Sequence, residues 1–165
     1  MDINSEKKLT MVSLLIPAFN EQESIVDTIE NAKLLFKNLK IRNFEIIVIN
    51  DGSTDKTLEY TKKTGVKIIN HPQNLGYGFS LKNGIKNAKF KTIIITDADH
   101  TYPLDEVPKL FTEYNKGFDM VVGKRIGYKE SVIKAILRKI LKLVVEFAAG
   151  RKIPDINSGL RKFAY

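Results

Sequence analysis

Residues 44–55 read Phe44-Glu45-Ile46-Ile47-Val48-Ile49-Asn50-Asp51-Gly52-Ser53-Thr54-Asp55. Phe44 to Ile49 is nearly all apolar, as expected of a strand covered on both faces. Asp51 to Asp55 then forms a turn, and a helix is expected from about Thr57 to Thr64. The same order recurs on either side. Upstream, Val12 to Ile16 is a strand stopped by Pro17. Asn20 is expected to cap the following helix, with Glu23 three residues later completing a capping-box-like start. Ile25, Ile29, Ala32, Leu35 and Phe36 give that helix its inner face. Downstream, Val66 to Ile69 is a third strand and Asn74 to Gly78 a turn. A helix follows near Phe79 to Ala88, then a fourth strand over Thr92 to Ile95. Leu104 to Tyr114 reads as a helix and Met120 to Val122 as a fifth strand. This alternation implies an α/β fold: a mostly parallel sheet with helices on both faces. Ligands of such sheets bind at the carboxyl ends of the strands. Pro17–Glu21, Asp51–Asp55 and Asp97–Asp99 all follow a strand, so they are expected to meet along one edge.

The chain of 165 residues, with 43% hydrophobic and 28% charged residues, suits one globular domain spanning 1–165. It has no Cys, which excludes disulfides, a thiol nucleophile and Cys-based zinc sites. Two histidines, His71 and His100, are too few for a His-rich metal centre. His71 reads as a loop residue and His100 as a neighbour of the acid pair. The net charge of +8 is local: residues 1–123 hold 16 basic and 16 acidic residues, whereas residues 124–152 alone carry +7. The polar, mixed-charge N-terminus is not a signal peptide. No apolar run approaches the roughly 18–20 residues of a membrane span. A cytoplasmic location is expected, with any membrane contact peripheral.

Asp97-Ala98-Asp99 is the sharpest chemical signal. Two carboxylates one residue apart, just past a buried strand, repel each other unless a cation sits between them. Hard ions such as Mg²⁺ or Mn²⁺ take carboxylate oxygens and share them with substrate phosphates. The plainer alternative is a solvated turn leading into the next helix. Asp51 can accept hydrogen bonds from a base or ribose, as acids at strand ends do in nucleotide folds. Ser53 or Thr54 is expected to cap the next helix, with Asp55 complementing its dipole. Gly76-Tyr77-Gly78 fails as a dinucleotide fingerprint because Leu81 stands where its third glycine belongs, and no Walker-type loop exists. It reads as a tight turn beside the site. Residues 130–150 read as a basic amphipathic helix. Lys134, Arg138 and Lys142 share one face with Lys139 beside them, and Ile133, Ile136, Leu137, Ile140, Leu141, Val144 and Phe147 form the other. Such a helix packs against a core with a wet basic side or lies on an anionic membrane surface. No aromatic residues interleave the charges, so nucleic acid is not the expected partner.

Ile16-Pro17-Ala18-Phe19-Asn20-Glu21, Ile49 to Asp55 and Asp97-Ala98-Asp99 together resemble the family 2 glycosyltransferases of GT-A, Rossmann-like fold. Asn74-Leu75-Gly76-Tyr77-Gly78 and Val122-Gly123-Lys124-Arg125 fit the same family. Asn157-Ser158-Gly159-Leu160-Arg161 is similar to the branch that charges polyprenyl phosphates, such as dolichol-phosphate mannosyltransferase and the undecaprenyl-phosphate glycosyltransferases. The resemblance implies that Pro17, Phe19 and Glu21 line a nucleotide pocket and that Asp51 contacts the base. Asp97 and Ala98 would border the diphosphate and sugar, with Asp97 and Asp99 at an Mg²⁺ or Mn²⁺ ion and Thr101 making a further nucleotide-sugar contact. Arg125 would hold a phosphate and act with Asp97 and Asp99 in catalysis, while Arg125, Arg138 and Arg161 would receive the acceptor phosphate.

The implied reaction is inverting transfer from a UDP- or GDP-linked sugar to a dolichyl or undecaprenyl phosphate at the cytoplasmic face of the membrane. A phosphate monoester is already anionic at neutral pH and needs no strong general base. No further acid follows Asp99 in a comparable setting, which favours that acceptor. The alternatives are a saccharide hydroxyl acceptor, or a non-catalytic nucleotide-binding or membrane-interaction module. Members of the family usually continue beyond the position of Tyr165, so the chain is expected to be either C-terminally truncated or a minimal form.

Overall fold

The structure, a computed structural model, describes residues 11–99, 106–123 and 160–164. Ten elements follow in chain order: β1 (Met11–Ala18), α1 (Ile25–Asn38), β2 (Asn43–Asn50), α2 (Thr57–Lys63), β3 (Lys67–Asn70), α3 (Tyr77–Lys86), β4 (Thr92–Ile95), α4 (Val107–Tyr114), β5 (Met120–Val122) and β6 (Arg161–Ala164). The strands form one sheet in the order β3-β2-β1-β4-β6-β5. β1 pairs in parallel with β2 and β4, and β2 with β3, while β6 runs antiparallel to both β4 and β5.

Strand alternation divides the apolar side chains between the two faces. Leu14, Ile16, Ile46, Val48 and Ile94 point to the face covered by Ile25, Ile29, Ala32 and Phe36 of α1 and by Leu110 and Phe111 of α4. Leu15, Ile47, Ile49, Ile93 and Ile95 point to the other face, where Leu81 and Ile85 of α3 pack. The sheet therefore carries helices on both faces, and the near-continuous apolar run of β2 is what a two-sided strand requires. The inner face expected of α1 is present, with Leu35 at its margin.

Two local expectations are corrected and one strand is added. Pro17 does not stop β1: the strand runs on to Ala18, with Pro17 opposite Ile49. On the other side β4 pairs with Ser13 to Leu15 and the Thr96 N–H reaches Leu15 O at 3.1 Å; the ladder to β4 ends there, where Pro17 has no N–H to carry it on, while the pairing with β2 continues. The first helix starts at Ile25, with Ser24 rather than Asn20 at the cap position, and no side chain caps it. β6 was not expected as a strand. Its alternation is hidden by Lys162, a fully buried side chain whose ammonium lies 3.5 Å from the Tyr114 ring centroid and 4.4 Å from that of Phe111. A lysine whose charge rests on two aromatic faces of α4 occupies an apolar position without being apolar.

The expected amphipathic helix at 130–150 lies outside the described residues. Among the described residues no helix is long and apolar enough to cross a membrane.

Candidate active site

β1 lies between β2 and β4, so the chain winds from β1 outward through β2 and β3, then returns to the other side of β1. That reversal leaves a crevice at the carboxyl ends of β1 and β4. A cavity of about 360 Å³ opens there. The loop after β1 contributes Pro17, Ala18, Phe19 and Glu21, and the end of β2 contributes Asp51. Asp97, Ala98 and Asp99 come from the end of β4, and Asn74, Tyr77 and Ser80 from the turn and helix after β3. Every residue expected around a nucleotide-sugar is thus brought together except Thr101, which lies outside the described residues together with His100, Arg125 and Arg138. Arg161 opens β6 opposite Ile95 and Val122, at the same edge of the sheet, but does not line the cavity. Asn74, Tyr77 and Ser80 were not singled out by their chemistry; they reach the cavity because α3 begins at Tyr77, directly after the left-handed Gly76 (φ 92°).

Most polar side chains of the loops after β1 and β2 hold the two loops to each other, and Asp55 alone among them also bonds the first N–H of α2. Asn20 sits in the left-handed region at φ 58°, and its Oδ1 accepts from the Thr54 N–H at 2.8 Å. The Asn20 N–H donates to Ser53 Oγ at 3.0 Å, and the Glu21 N–H to Thr57 Oγ1 at 2.8 Å. Asp55 accepts from the N–H groups of Gln22 at 3.1 Å and Thr57 at 2.9 Å. Burial raises the Asp55 pKa, but the Thr57 hydroxyl and these N–H groups outweigh it and hold the carboxyl below its ordinary range. Ser53 and Thr54 therefore do not cap α2, in contrast to expectation. Short polar side chains at parallel strand ends find the neighbouring loop as readily as their own helix.

Gly52 has φ +70°, and a Cβ there would stand 2.3 Å from the Gln73 carbonyl carbon and 2.6 Å from the Asn74 nitrogen. Only glycine allows this approach. It brings the turn after β3 onto Asp51, whose Oδ1 accepts from the Leu75 N–H at 2.9 Å and whose Oδ2 accepts from the Gly76 N–H at 2.8 Å. The third partner is His71, with Nδ1 2.7 Å from Asp51 Oδ1. His71 is the loop residue expected, directly after β3, but it is buried, 5% exposed. The register explains it: Asn50 pairs with Asn70 across β2 and β3, and the His71 N–H continues the ladder to Asn50 O at 2.9 Å, so residues 51 and 71 leave the sheet side by side. Burial pushes the Asp51 carboxyl up, but the hydrogen bonds from His71, Leu75 and Gly76 prevail and hold it below the usual carboxylate range.

Ala98 turns inward between the two acids. It is buried in the core, and its carbonyl accepts from Thr28 Oγ1 of α1 at 3.0 Å. Asp97 and Asp99 stay at the cavity, and Tyr77 donates its hydroxyl to Asp97 Oδ1 at 3.2 Å. Glu21, Asp51, Asp97 and Asp99 line the cavity, whereas no Lys or Arg does among the described residues. No cluster of three or more acids and histidines could cage a metal among the described residues. Two hard carboxylates on an acidic wall instead fit an ion of the Mg²⁺ or Mn²⁺ type that completes its shell with ligand phosphates.

Comparison with known proteins agrees with this architecture. The family described as glycosyl transferase family 2 matches residues 13–159. An uncharacterized protein of Methanocaldococcus jannaschii is 37% identical over 168 aligned positions, covering 93% of this chain and 65% of its own length. The undecaprenyl-phosphate 4-deoxy-4-formamido-L-arabinose transferase of Photorhabdus laumondii is 28% identical, covering 96% of this chain and 50% of its own. The chain thus spans half to two thirds of the length of these relatives. Among solved structures, glucosyl-3-phosphoglycerate synthase from Mycobacterium tuberculosis, crystallised with Mn²⁺, UDP-glucose and phosphoglyceric acid, superposes with a TM-score of 0.74 at 22% identity. It covers 96% of this chain and 57% of its own. Mannosyl-3-phosphoglycerate synthase from Rubrobacter xylanophilus gives a TM-score of 0.76 at 14% identity, covering 98% and 56% of the two chains. These neighbours establish the fold as GT-A.

Proposed function

The chain belongs to glycosyl transferase family 2, and from that premise we propose that it transfers a sugar from a nucleotide-sugar to a polyprenyl phosphate, with inversion at the anomeric carbon. The observation that carries this reading is the acidic lining of the cavity at the strand switch point, where Glu21, Asp51, Asp97 and Asp99 meet and no Lys or Arg stands among the described residues. A diphosphate entering beside Asp97 and Asp99 is repelled unless a divalent cation lies between them. The Mn²⁺ and UDP-glucose of the mycobacterial synthase support the same ligand class.

In this reading Asp51 accepts a hydrogen bond from the base, and Pro17, Phe19 and Glu21 wall the nucleotide. Asp97 and Asp99 would hold Mg²⁺ or Mn²⁺, which would supply positive charge against the charge building on the diphosphate leaving group. Tyr77 holds Asp97 in place through its hydroxyl. An acceptor phosphate oxygen attacks the anomeric carbon from the face opposite the diphosphate; the new C–O bond forms as the bond to the diphosphate oxygen breaks. Arg161, at the same sheet edge, and Arg125 and Arg138, outside the described residues, are assigned to phosphate, where the guanidinium fork binds in bidentate fashion. Thr101 is assigned to the donor.

Support for a phosphate acceptor comes from the described residues, among which no spare base stands at the cavity. Among the described acids after Asp99, Glu106 and Glu113 are paired with Lys109 and Lys116 on and beside α4, and Asp119 precedes β5 at the opposite edge of the sheet. The name of the Photorhabdus relative points to the same acceptor. We place the protein peripherally at the cytoplasmic face of a membrane, with residues 1–165 acting as one glycosyltransferase domain.

The test pairs binding with product chemistry. Calorimetry with UDP- and GDP-sugars in Mn²⁺ should show donor binding that EDTA removes and that Asp99→Ala weakens by at least about tenfold, the scale of a lost metal ligand. Incubation with a short-chain polyprenyl phosphate should give an acid-labile, lipid-soluble sugar phosphate. Unchanged Mn²⁺-dependent affinity in Asp99→Ala, or an acid-stable glycoside as product, would overturn the assignment.

A further inference from the structure

Asp51 is read above as the contact to the base, and what it can accept is limited by what already holds it. A carboxylate offers about four acceptor positions, two per oxygen. Oδ1 is filled by His71 Nδ1 at 2.7 Å and the Leu75 N–H at 2.9 Å. Oδ2 takes the Gly76 N–H at 2.8 Å and keeps one position, which no donor occupies among the described residues. Asp51 also lines the cavity, with its side chain 6% exposed.

The histidine is fixed as well. Asn83 Oδ1 accepts from Asn87 Nδ2 at 3.0 Å, which turns Asn83 Nδ2 toward His71 Nε2 at 3.0 Å. An amide nitrogen only donates, so Nε2 accepts and the ring proton sits on Nδ1, aimed at Asp51. Phe79 packs edge-on against the imidazole, with centroids 5.5 Å apart.

Resting on the reading of this cavity as a nucleotide site, we propose that His71 is a positioning residue that makes Asp51 a single-acceptor reader, selecting a uracil- or thymine-type imide over guanine. The imide presents one N–H between two carbonyls and needs only the free Oδ2 position. Guanine presents N1–H and N2–H side by side, and a carboxylate reads both only by using both oxygens. With Oδ1 filled, one guanine donor is left unpaired against a buried wall, and a site built for one hydrogen-bond pattern rejects ligands that leave such groups unsatisfied. Removing the Nδ1 proton returns an acceptor position to Oδ1 and with it the second partner that guanine lacks.

Calorimetry of the purified chain with UDP and with GDP, in Mn²⁺, reads the effect directly. UDP should bind at least about tenfold more tightly than GDP. His71→Leu should lose about tenfold in UDP affinity and bring the UDP-to-GDP ratio toward one. His71→Asn, whose Nδ2 stands near the place of Nδ1, should restore most of the ratio. A general packing defect would instead weaken both nucleotides alike. Asn83→Ala, on the half-buried side of α3, removes the second anchor of the imidazole and leaves the ring held by Asp51 alone; it should narrow the ratio in part and serves where His71→Leu does not fold. Equal UDP and GDP affinity in the wild type, tighter GDP binding, or a ratio unmoved in folded His71→Leu or Asn83→Ala overturns the inference alone. A wild type that binds neither nucleotide overturns the nucleotide-site reading and the inference with it.

Discussion

Asp51, Asp97 and Asp99 are legible in the sequence because each acid follows an apolar run at the point where a buried strand must end. His71 is not, because a single histidine in a polar turn looks like any loop residue until the pairing of Asn50 with Asn70 sets it beside Asp51. The one available signal is the parallel of Asn50-Asp51 with Asn70-His71 at two successive strand ends. The Asp51 network also sets a pH response. Its folded pKa lies below the unfolded value of about 3.9, so the folded state favours the carboxylate. That stabilisation is complete above about pH 4 to 5 and is lost as the pH falls through the lower, folded value. Asp51→Asn turns an amide toward the Gly76 N–H and should cost about 1–3 kcal/mol at pH 7. The gap between wild type and Asp51→Asn in urea denaturation should stay flat from pH 8 to pH 5 and close below about pH 4. A gap that opens on acidification would contradict the bonding described.

At the scale of elements, the expected helices and strands are mostly present, because two-sided strands and one-sided helices write strong periodicities. The exceptions are the places where tertiary contact overrides the local pattern: Pro17 inside β1, Asn20 bonded across to Thr54, and Lys162 buried in β6. The position of α3 is set by a close approach that the sequence marks only as one more glycine. A Cβ on Gly84 would stand 3.0 Å from Ile49 Cδ1 and 3.2 Å from Leu15 Cδ1. Gly84→Ala gains roughly 1 kcal/mol of helix propensity, which offsets a few tenths of an ångström of movement in those methyl groups. Gly84→Val brings branched bulk into the same gap and should cost about 1–3 kcal/mol. It should also weaken nucleotide binding, because α3 carries Tyr77, Ser80 and Asn83. Urea denaturation of the two variants separates them. Equal stability of Ala and Val would mean that the helix is not seated on the sheet as closely as described.

For the molecule as a whole, the site edge is legible without the strand order, because every loop that follows a parallel strand reaches the same edge. The order itself is not, since nothing local in β4 says that it returns beside β1 rather than extending past β3. Charge is where sequence and site meet. The body through residue 123 is neutral, its cavity is lined by four carboxylates among the described residues, and the +7 of residues 124–152 stands apart in the sequence. A lipid phosphate acceptor lies in an anionic surface, and each Lys or Arg near such a surface contributes about 1 kcal/mol of attraction. The chain should therefore sediment with phosphatidylglycerol vesicles and not with phosphatidylcholine vesicles. Binding should fall steeply between 0.1 and 1 M salt, as the screening length shrinks from about 10 Å to about 3 Å. Changing Lys134, Lys139 and Lys142 together to Glu shifts the segment by six charges and should abolish vesicle binding, while nucleotide affinity in solution, measured at the acidic cavity, stays within about twofold. Equal partitioning onto neutral and anionic vesicles, or sedimentation indifferent to the triple substitution, would detach the basic segment from the membrane and leave its charge to the phosphates of the ligands alone.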